Sequence, residues 1–471
     1  MSKSRNVVAV DFGAESGRLV LCRWDGSAGT LEEIHRFPNG PKSVGPHLVW
    51  EIERLWDEVL KGLVKAAAKT GGRVDSIGVD SWGVDYTLLD AAGERIGHPY
   101  AYRDARNVPA MERVVAKLTA RRLYEITGIQ QMPFNTIYQL AAHVEEFPEE
   151  WDKAALWLTL PDYFQFRLSG VQVAEYTEAS TTQLLDVHRR SWSQELTSAL
   201  GLDLKKFPTI VQGGTILGKL CPEVAAKVGL EGTVVTAPAC HDTGSAVAGI
   251  PFSHEGSAFI SSGTWSLVGT VMLHPVVDLS DEGRCFTNEG GVAGSVRYLQ
   301  NVIGLWLLQQ CLRDWNDAGL KLTAADLAKQ CLDVPIDGPW FKADAHTYLA
   351  PGDMVARINA GLRAAGFAEE TRPVELAAII FRSLARRYAE TVNVLAKLSG
   401  KDIRRICIVG GGVKNEALNR LTGLVTGREV VRGPSESTAA GNIATQIAGL
   451  ENAVSLDQIQ AISAQLKFAA T

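Results

Sequence analysis

The sequence predicts an α/β protein of two domains. Three observations carry that prediction. The chain has 471 residues, more than one hydrophobic core usually serves. Two strand–turn–strand units of the same design lie about half a chain apart, and a strand–glycine–helix segment stands near the C-terminal end.

The elements follow in order. Residues 7–10 form a fully apolar run, which reads as a buried strand. The turn formers DFGAESG occupy 11–17, and 19–22 is a second apolar run, so the unit reads as a hairpin. Leu55, Val59, Leu63 and Ala67 keep a helical spacing and place one amphipathic helix. Residues 74–79 and 84–89 give two more strands around the DSWG turn. The stretch 105–205 mixes helical patches and tryptophans without a repeat, and reads as insertions that shape a pocket wall. At 258–260 and 265–268 two apolar strands flank the turn SSGT at 261–264, the design of 7–22 again. Either a nucleotide-binding unit is duplicated or two hairpins of a common kind look alike. Residues 405–409 read as a strand, followed by Gly410, Gly411 and Gly412, a helix over 415–426 and a short strand at 429–431. The segment GPSEST at 433–438 leads into a closing helix of small residues over 439–448. Strand, glycines and helix in this order let a backbone approach a nucleotide closely.

Composition narrows the function classes. With 46% hydrophobic and 21% charged residues the chain is an ordinary globular protein, not a disordered one. A net charge of −6 lacks the basic excess of a nucleic-acid binder. The seven cysteines are odd in number and form no Cys-x-x-Cys pair, so neither a disulfide framework nor a zinc site is expected. Residues 1–6 are polar and lack the apolar core of a signal peptide, and no run of 18 apolar residues occurs. No membrane association and a cytoplasmic location are the expectation.

Five segments carry residues suited to chemistry. In the first, Gly13 and Gly17 permit tight turns with exposed N–H groups and Ser16 adds a hydroxyl, a loop that can hold phosphate oxygens. Asp11 at the strand end suits Mg²⁺, directly or through water; the plainer alternative is a surface hairpin with an Asx turn. The tripeptide Asp-Phe-Gly also occurs in protein kinases, but the His-Arg-Asp and Gly-rich loops that accompany it there are missing. The second segment, ACHDTGS at 239–245, sets an acid, an imidazole and hydroxyls side by side. Phosphoryl transfer to an alcohol needs a carboxylate to accept the hydroxyl proton, and Asp242 fits that task or caps a helix over 245–248. The third is the hydroxyl-rich turn ending at Thr264, and the fourth is the triple glycine, which suits adenine or ribose or simply a helix entry. The fifth is VDSWGVDY at 79–86 with YRD at 102–104. Trp82 offers an apolar face to a sugar ring, and Asp80, Asp85, Arg103 and Asp104 offer polar contacts; the alternative is a core tryptophan flanked by solvated acids. Neither a Gly-Lys-Ser/Thr phosphate loop nor a Gly-x-Gly-x-x-Gly fingerprint is present.

In this order the strings VAVDFGAESGR, IGVDSWGVDYTLLD, YRDAR, CHDTGSAVAGIP, ISSGTWSLVG, NVIGLWLLQQ and IVGGGVKNEALN resemble the FGGY carbohydrate kinases, most of all the rhamnulokinase branch. The resemblance runs from residue 7 to the 440s. It implies the actin-like ATPase fold, two RNase H-like domains with an interdomain cleft. The N-terminal domain, with the sugar side and the first phosphate loop, would cover 1–245, and the C-terminal, ATP-binding domain 246–471. It implies transfer of the ATP γ-phosphate to the 1-hydroxyl of L-rhamnulose in rhamnose catabolism. By position, Asp242 matches the catalytic base, and Gly83, His241, Asp242, Thr243 and Asn301 match substrate contacts. Gly13, Ala14, Glu15, Ser16, Gly17, Thr264, Gln309 and Gly411 match ATP contacts, with Asp11 serving Mg²⁺ through water. The implied partners are a ketose and ATP, with no nucleic acid and no membrane, in a monomer or homodimer. Glu15 departs from the small hydroxyl residue many members carry there. A carboxylate beside a triphosphate repels it unless Mg²⁺ or Arg18 intervenes, so Glu15 is expected to point away. The rivals are a sister kinase acting on L-fuculose or L-xylulose, an actin-like ATPase or sugar sensor without kinase activity, and a sugar-binding module that never uses ATP.

Overall fold

The computed structural model describes residues 3–469 except 251–255, 282, 344, 349–351 and 435. The chain separates into two compact units. One comprises Met1–Pro251, Leu273–Arg297 and Ser437–Thr471, the other Phe252–Met272 and Tyr298–Glu436. The principal strands are, in chain order, β1 (Arg5–Phe12), β2 (Ser16–Trp24), β3 (Gly29–Pro38), β4 (Ser76–Ser81), β5 (Ile216–Lys219), β6 (Val234–Thr236), β7 (Ser257–Ser262), β8 (Trp265–Met272), β9 (Val296–Ile303), β10 (Arg405–Val409), β11 (Glu429–Arg432) and β12 (Leu466–Phe468). The helices that bear on the site are α1 (Ile52–Thr70), α2 (Asp242–Ala248), α3 (Trp306–Asp317), α4 (Pro373–Ser399), α5 (Glu416–Thr426) and α6 (Ser437–Leu450).

The first unit is built on a seven-stranded sheet in the order β5-β6-β4-β1-β2-β3-β12. β1 pairs antiparallel with β2 and parallel with β4. Both faces of β1 are covered, which explains its unbroken apolar run. Val8, Val10 and Phe12 join a core with Leu55, Val59 and Leu63 of α1. Val7 and Ala9 on the other face join Ile443, Ala444 and Ile447 of α6. The helical spacing read from Leu55 to Ala67 is thus the buried stripe of α1, which Gly71 ends in a left-handed cap. The 105–205 stretch forms mostly short helices, and its strand Leu156–Thr159 joins Tyr86–Leu89 and Arg95–Ile96 in a three-stranded sheet.

The second unit repeats the plan. Its principal strands run in the order β9-β8-β7-β10-β11. β7 pairs antiparallel with β8 and parallel with β10, as β1 pairs with β2 and β4. A hairpin whose first strand then takes a parallel neighbour therefore occurs in each unit, which gives the two similar turns a common topological setting. The last strand–glycine–helix segment is β10, the glycines and α5; part of 433–438 lies outside the described residues.

Candidate active site

In the first unit, β1 and β4 run in parallel with Asp11 opposite Asp80, so two carboxylates stand side by side at the strands' C-terminal ends. Open α/β sheets place their ligands at such ends. Asp11 accepts from Arg18 Nε at 2.8 Å and Nη2 at 2.6 Å. Asp80 is fully buried and accepts from Asn442 Nδ2 of α6 at 2.5 Å. Burial, Asp11 and Asp242 push the Asp80 carboxyl well above the usual carboxylate range, against the Asn442 bond. Helix α6 is held here because Gln446 also bonds to Ser76 Oγ and the Val8 carbonyl.

Beyond β6 the chain returns beside β4. Ser81 N–H donates to the Cys240 carbonyl at 2.9 Å, and Ser81 bridges to His241. Cys240 N–H is held by Glu175 at 3.0 Å and His241 N–H by Thr177 Oγ1 at 3.2 Å. Asp242 is therefore delivered at the first turn of α2, within electrostatic reach of Asp11 and Asp80. It is the accessible member of the trio: its side chain is 32% exposed, against 6% for Asp11. Burial and Asp11 raise its pKa, while His241 opposes them. Thr243 donates its backbone N–H and its hydroxyl to Oδ1.

Gly83 belongs to the same cluster. A Cβ there would sit 3.1 Å from His241 Nε2. Gly83, His241, Asp242 and Thr243, singled out separately in the sequence, are thus neighbours. Beside them Val84 has φ of 74°, unusual for a β-branched residue. Its peptide is clamped: the N–H donates to Glu178 Oε1 at 3.1 Å, and the carbonyl accepts from Thr136 Oγ1 at 2.6 Å and Gln139 Nε2 at 3.2 Å. Trp82 is a core residue. It packs on Trp50 with ring centroids 4.1 Å apart, and both indole N–H groups donate to Asp85 Oδ2. Asp104 is buried and accepts from Leu48 N–H at 2.7 Å, while Arg103 is exposed. For Trp82 the structure favours the plainer reading, a core tryptophan, but Asp85 and Asp104 are buried rather than solvated and hold neighbouring segments together.

The first loop is a tight hairpin in which Gly13 N–H donates to the Ser16 carbonyl at 2.9 Å. Asn39 ties it down, its side chain to the Gly13 carbonyl and its N–H to the Glu15 carbonyl. Ala14 is half-buried and Glu15 is exposed. Gly17 has a packing reason of its own, since a Cβ there would collide with the Phe37 ring.

In the second unit four segments converge. The carbonyl of Thr264 accepts from Gly304 N–H and Trp306 N–H, both at 3.2 Å, and that of Gly263 accepts from Leu305 N–H at 2.8 Å. This ties the β7–β8 turn to the link between β9, which carries Asn301, and α3, which carries Gln309. Gln309 Oε1 is buried without a hydrogen-bond partner among the described residues. The glycines pack on the same turn. Gly410 has φ of 79° beside the Ser262 carbonyl, and a Cβ on Gly412 would collide with Ser262 Oγ. Nothing lies within 4 Å of where a Cβ on Gly411 would sit. Gly410 and Gly412 thus serve packing, and Gly411 alone has open space above it.

Several residues of the first cluster carried no sequence signal: Arg297, Glu289, Glu178 and Asn442. Arg297 Nη2 stands 3.0 Å from His241 Nδ1, across 56 residues of chain. Among the described residues no three His, Cys, Asp or Glu side chains close on one point as direct metal ligands, and no helix is long and apolar enough to cross a membrane.

Residues 6–249 match the N-terminal domain of the FGGY family of carbohydrate kinases, and residues 258–450 its C-terminal domain. The chain belongs to the FGGY family of carbohydrate kinases. Its FGGY relatives include a rhamnulokinase of Klebsiella pneumoniae (strain 342), 40% identical over 462 residues, 97% of this chain and 92% of the relative. A rhamnulokinase of Oceanobacillus iheyensis is 37% identical over 459 residues, 97% of this chain and 95% of the relative. The crystal structure of a ligand-bound xylulose kinase from Lactobacillus acidophilus superposes with a TM-score of 0.79 at 17% identity, covering 96% of this chain and 91% of that one. Plasmodium falciparum glycerol kinase with ADP gives 0.78 at 14%, covering 98% and 93%. At such identities these structures speak for the fold alone, the two-domain, actin-like ATPase fold.

Proposed function

We propose that the protein transfers the γ-phosphate of ATP to the 1-hydroxyl of L-rhamnulose, with Asp242 as the general base. The likeness to rhamnulokinases along 97% of the chain carries the choice of substrate. The partial exposure of Asp242, beside the buried Asp11 and Asp80, supports its role, since a base must reach the proton it abstracts. In this reading Gly83, His241, Thr243 and Asn301 hold the sugar. The backbone of residues 13–17 serves ATP phosphates from the sugar-side domain, 1–245. Thr264, Gln309 and Gly411 serve ATP from the domain 246–471. Glu15, being exposed, contributes its backbone.

The acids beside Asp242 suit a divalent cation that arrives with ATP. Asp11 already receives two bonds from Arg18, and no ready-made ligand triad stands near it among the described residues, so Asp11 would hold Mg²⁺ through water. Bound Mg²⁺ supplies neutralisation of the charge that develops on the transferring phosphoryl group. Asp242 accepts the hydroxyl proton, and Thr243 keeps its carboxylate oriented. A soluble preparation is the expected behaviour, with a cytoplasmic site of action.

The test is a coupled ADP-release assay over L-rhamnulose, L-fuculose, L-xylulose and glycerol, with the sugar phosphate identified by mass and NMR. L-Rhamnulose should give the highest kcat/KM and one ADP per 1-phosphate formed. A higher kcat/KM for another ketose reassigns the substrate, and ADP release without sugar phosphate removes the kinase reading.

A further inference from the structure

Arg297, in β9, is wholly buried, and its contacts converge on His241. Its Nε donates to the Gly290 carbonyl at 2.8 Å, Nη1 pairs with Glu289 Oε2 at 2.9 Å, and Nη2 stands 3.0 Å from His241 Nδ1. A guanidinium has only donors. Nδ1 is therefore the acceptor of that bond, and the neutral ring carries its proton on Nε2, because the bond made by one imidazole nitrogen sets the state of the other. Nε2 in turn lies 3.4 Å from Asp242 Oδ1 and close to Gly83.

We propose that Arg297 is a positioning residue that fixes His241 as an Nε2–H donor, and that His241 gives this hydrogen bond to an oxygen of the ketose beside Asp242. The first half rests on the protein's own atoms; the second rests on the kinase reading above. The arrangement divides the work: Asp242 takes a proton from the reacting hydroxyl, and His241 offers one to a lone pair of a neighbouring sugar oxygen. Three charged groups face the imidazole: Asp242, Glu289 and Arg297. Glu289 Oε2, 3.3 Å from Nδ1, is the group that would favour the opposite tautomer. It is engaged by Arg297; burial works against its charge, yet the Arg297 guanidinium holds its carboxyl below the usual range.

Histidine labelled with ¹⁵N in the full chain, free of sugar and nucleotide, reads the tautomer at neutral pH by long-range ¹H–¹⁵N correlation, with His241 assigned by its loss in H241Q. The expected pattern is a protonated Nε2 and an unprotonated Nδ1. A protonated Nδ1, alone or in an imidazolium, overturns the proposal. R297K, whose ammonium also only donates, should keep the pattern, whereas R297M should release a mixture; a mixture in R297K or an unchanged pattern in R297M removes Arg297 from the account. If R297M does not fold, the wild-type spectrum still decides. Kinetics tests the donor role. H241Q keeps a donor near the Nε2 position and should stay within about tenfold of the wild-type kcat/KM, while H241N loses it and should fall about 100-fold. Equal losses overturn the donor role. If the wild type phosphorylates no ketose, the functional reading fails, while the spectrum still decides the tautomer.

Discussion

Asp11, Asp80 and Asp242 act on one another electrostatically, yet only Asp242 combines a position at a turn, partial exposure and freedom from an arginine or asparagine partner of the kind that holds the other two. Asp242→Asn should lower kcat by about 100- to 10,000-fold, the usual share of a general base, and leave sugar affinity by calorimetry close to wild type. Near-normal turnover would remove Asp242 from the mechanism. The base works deprotonated, and its pKa is raised, so the acidic limb of kcat/KM should lie above the ordinary aspartate value, with activity falling as pH drops through it. Asp11 is one cause of that rise, so Asp11→Asn should move the limb to lower pH, whatever it does to the plateau; a limb that moves up or stays put would contradict the coupling. Asp242 was legible in the sequence because an acid in a turn of small residues is a local signal. Arg297 was not, because its partner lies 56 residues away and an arginine in a strand looks like any other. Trp82 misled toward the sugar because only packing against Trp50 shows that its face is taken.

The elements divide in the same way. Both hairpins, α1 and the β10–glycine–α5 segment were legible because apolar strands bounded by turn residues, and a helical stripe, are short-range patterns. The 27-residue α4 carries no such pattern. Every residue from 376 to 385 is buried, so no polar face alternates with an apolar one to mark a helix there. Gly17 shows how two reasons coincide in one element. A phosphate loop wants its N–H, and β2 wants no side chain there because the Phe37 ring of β3 covers it. Gly17→Ala should destabilise the protein by roughly 1–3 kcal/mol through overpacking. In Gly17→Ala/Phe37→Ala the collision is gone and the N–H remains, so the two changes should couple favourably by about 1 kcal/mol or more in denaturant unfolding, and the KM for ATP should recover relative to the single glycine variant. Additive stabilities would mean that Phe37 is not why residue 17 is glycine.

At the scale of the molecule, a linear reading cannot show that the chain comes back. The closing helix α6 packs on β1 of the first unit, hundreds of residues away, and Gly441 lies so close to the Ser245 carbonyl that any side chain there would collide with α2. The first unit also buries several acids, Asp80 against α6 among them, and this fixes how its stability responds to pH. Burial pushes up the carboxyls of Asp80, Asp85, Asp162, Glu175, Glu178 and Asp242, with Asp85 at about 7. An unfolded chain releases these protons near pH 4, so between that value and the folded pKa the native state binds more protons, and stability falls as pH rises. Buried His143 acts the other way. Its pKa is lowered to about 3 against about 6.5 unfolded, so its contribution grows as pH rises to about 6.5. Six groups oppose one, and the denaturation midpoint should fall from about pH 5 to about pH 7. Glu178 separates this cause from others. Its Oε1 accepts from Val84 N–H, and its Oε2 is buried without a partner among the described residues. Glu178→Gln keeps the acceptor and cannot ionise, so its midpoint should fall less steeply across that window and exceed the wild-type value at its upper end. A wild-type midpoint that rises through the window, or an identical slope in the variant, would show that these carboxyls do not hold their protons in the folded protein.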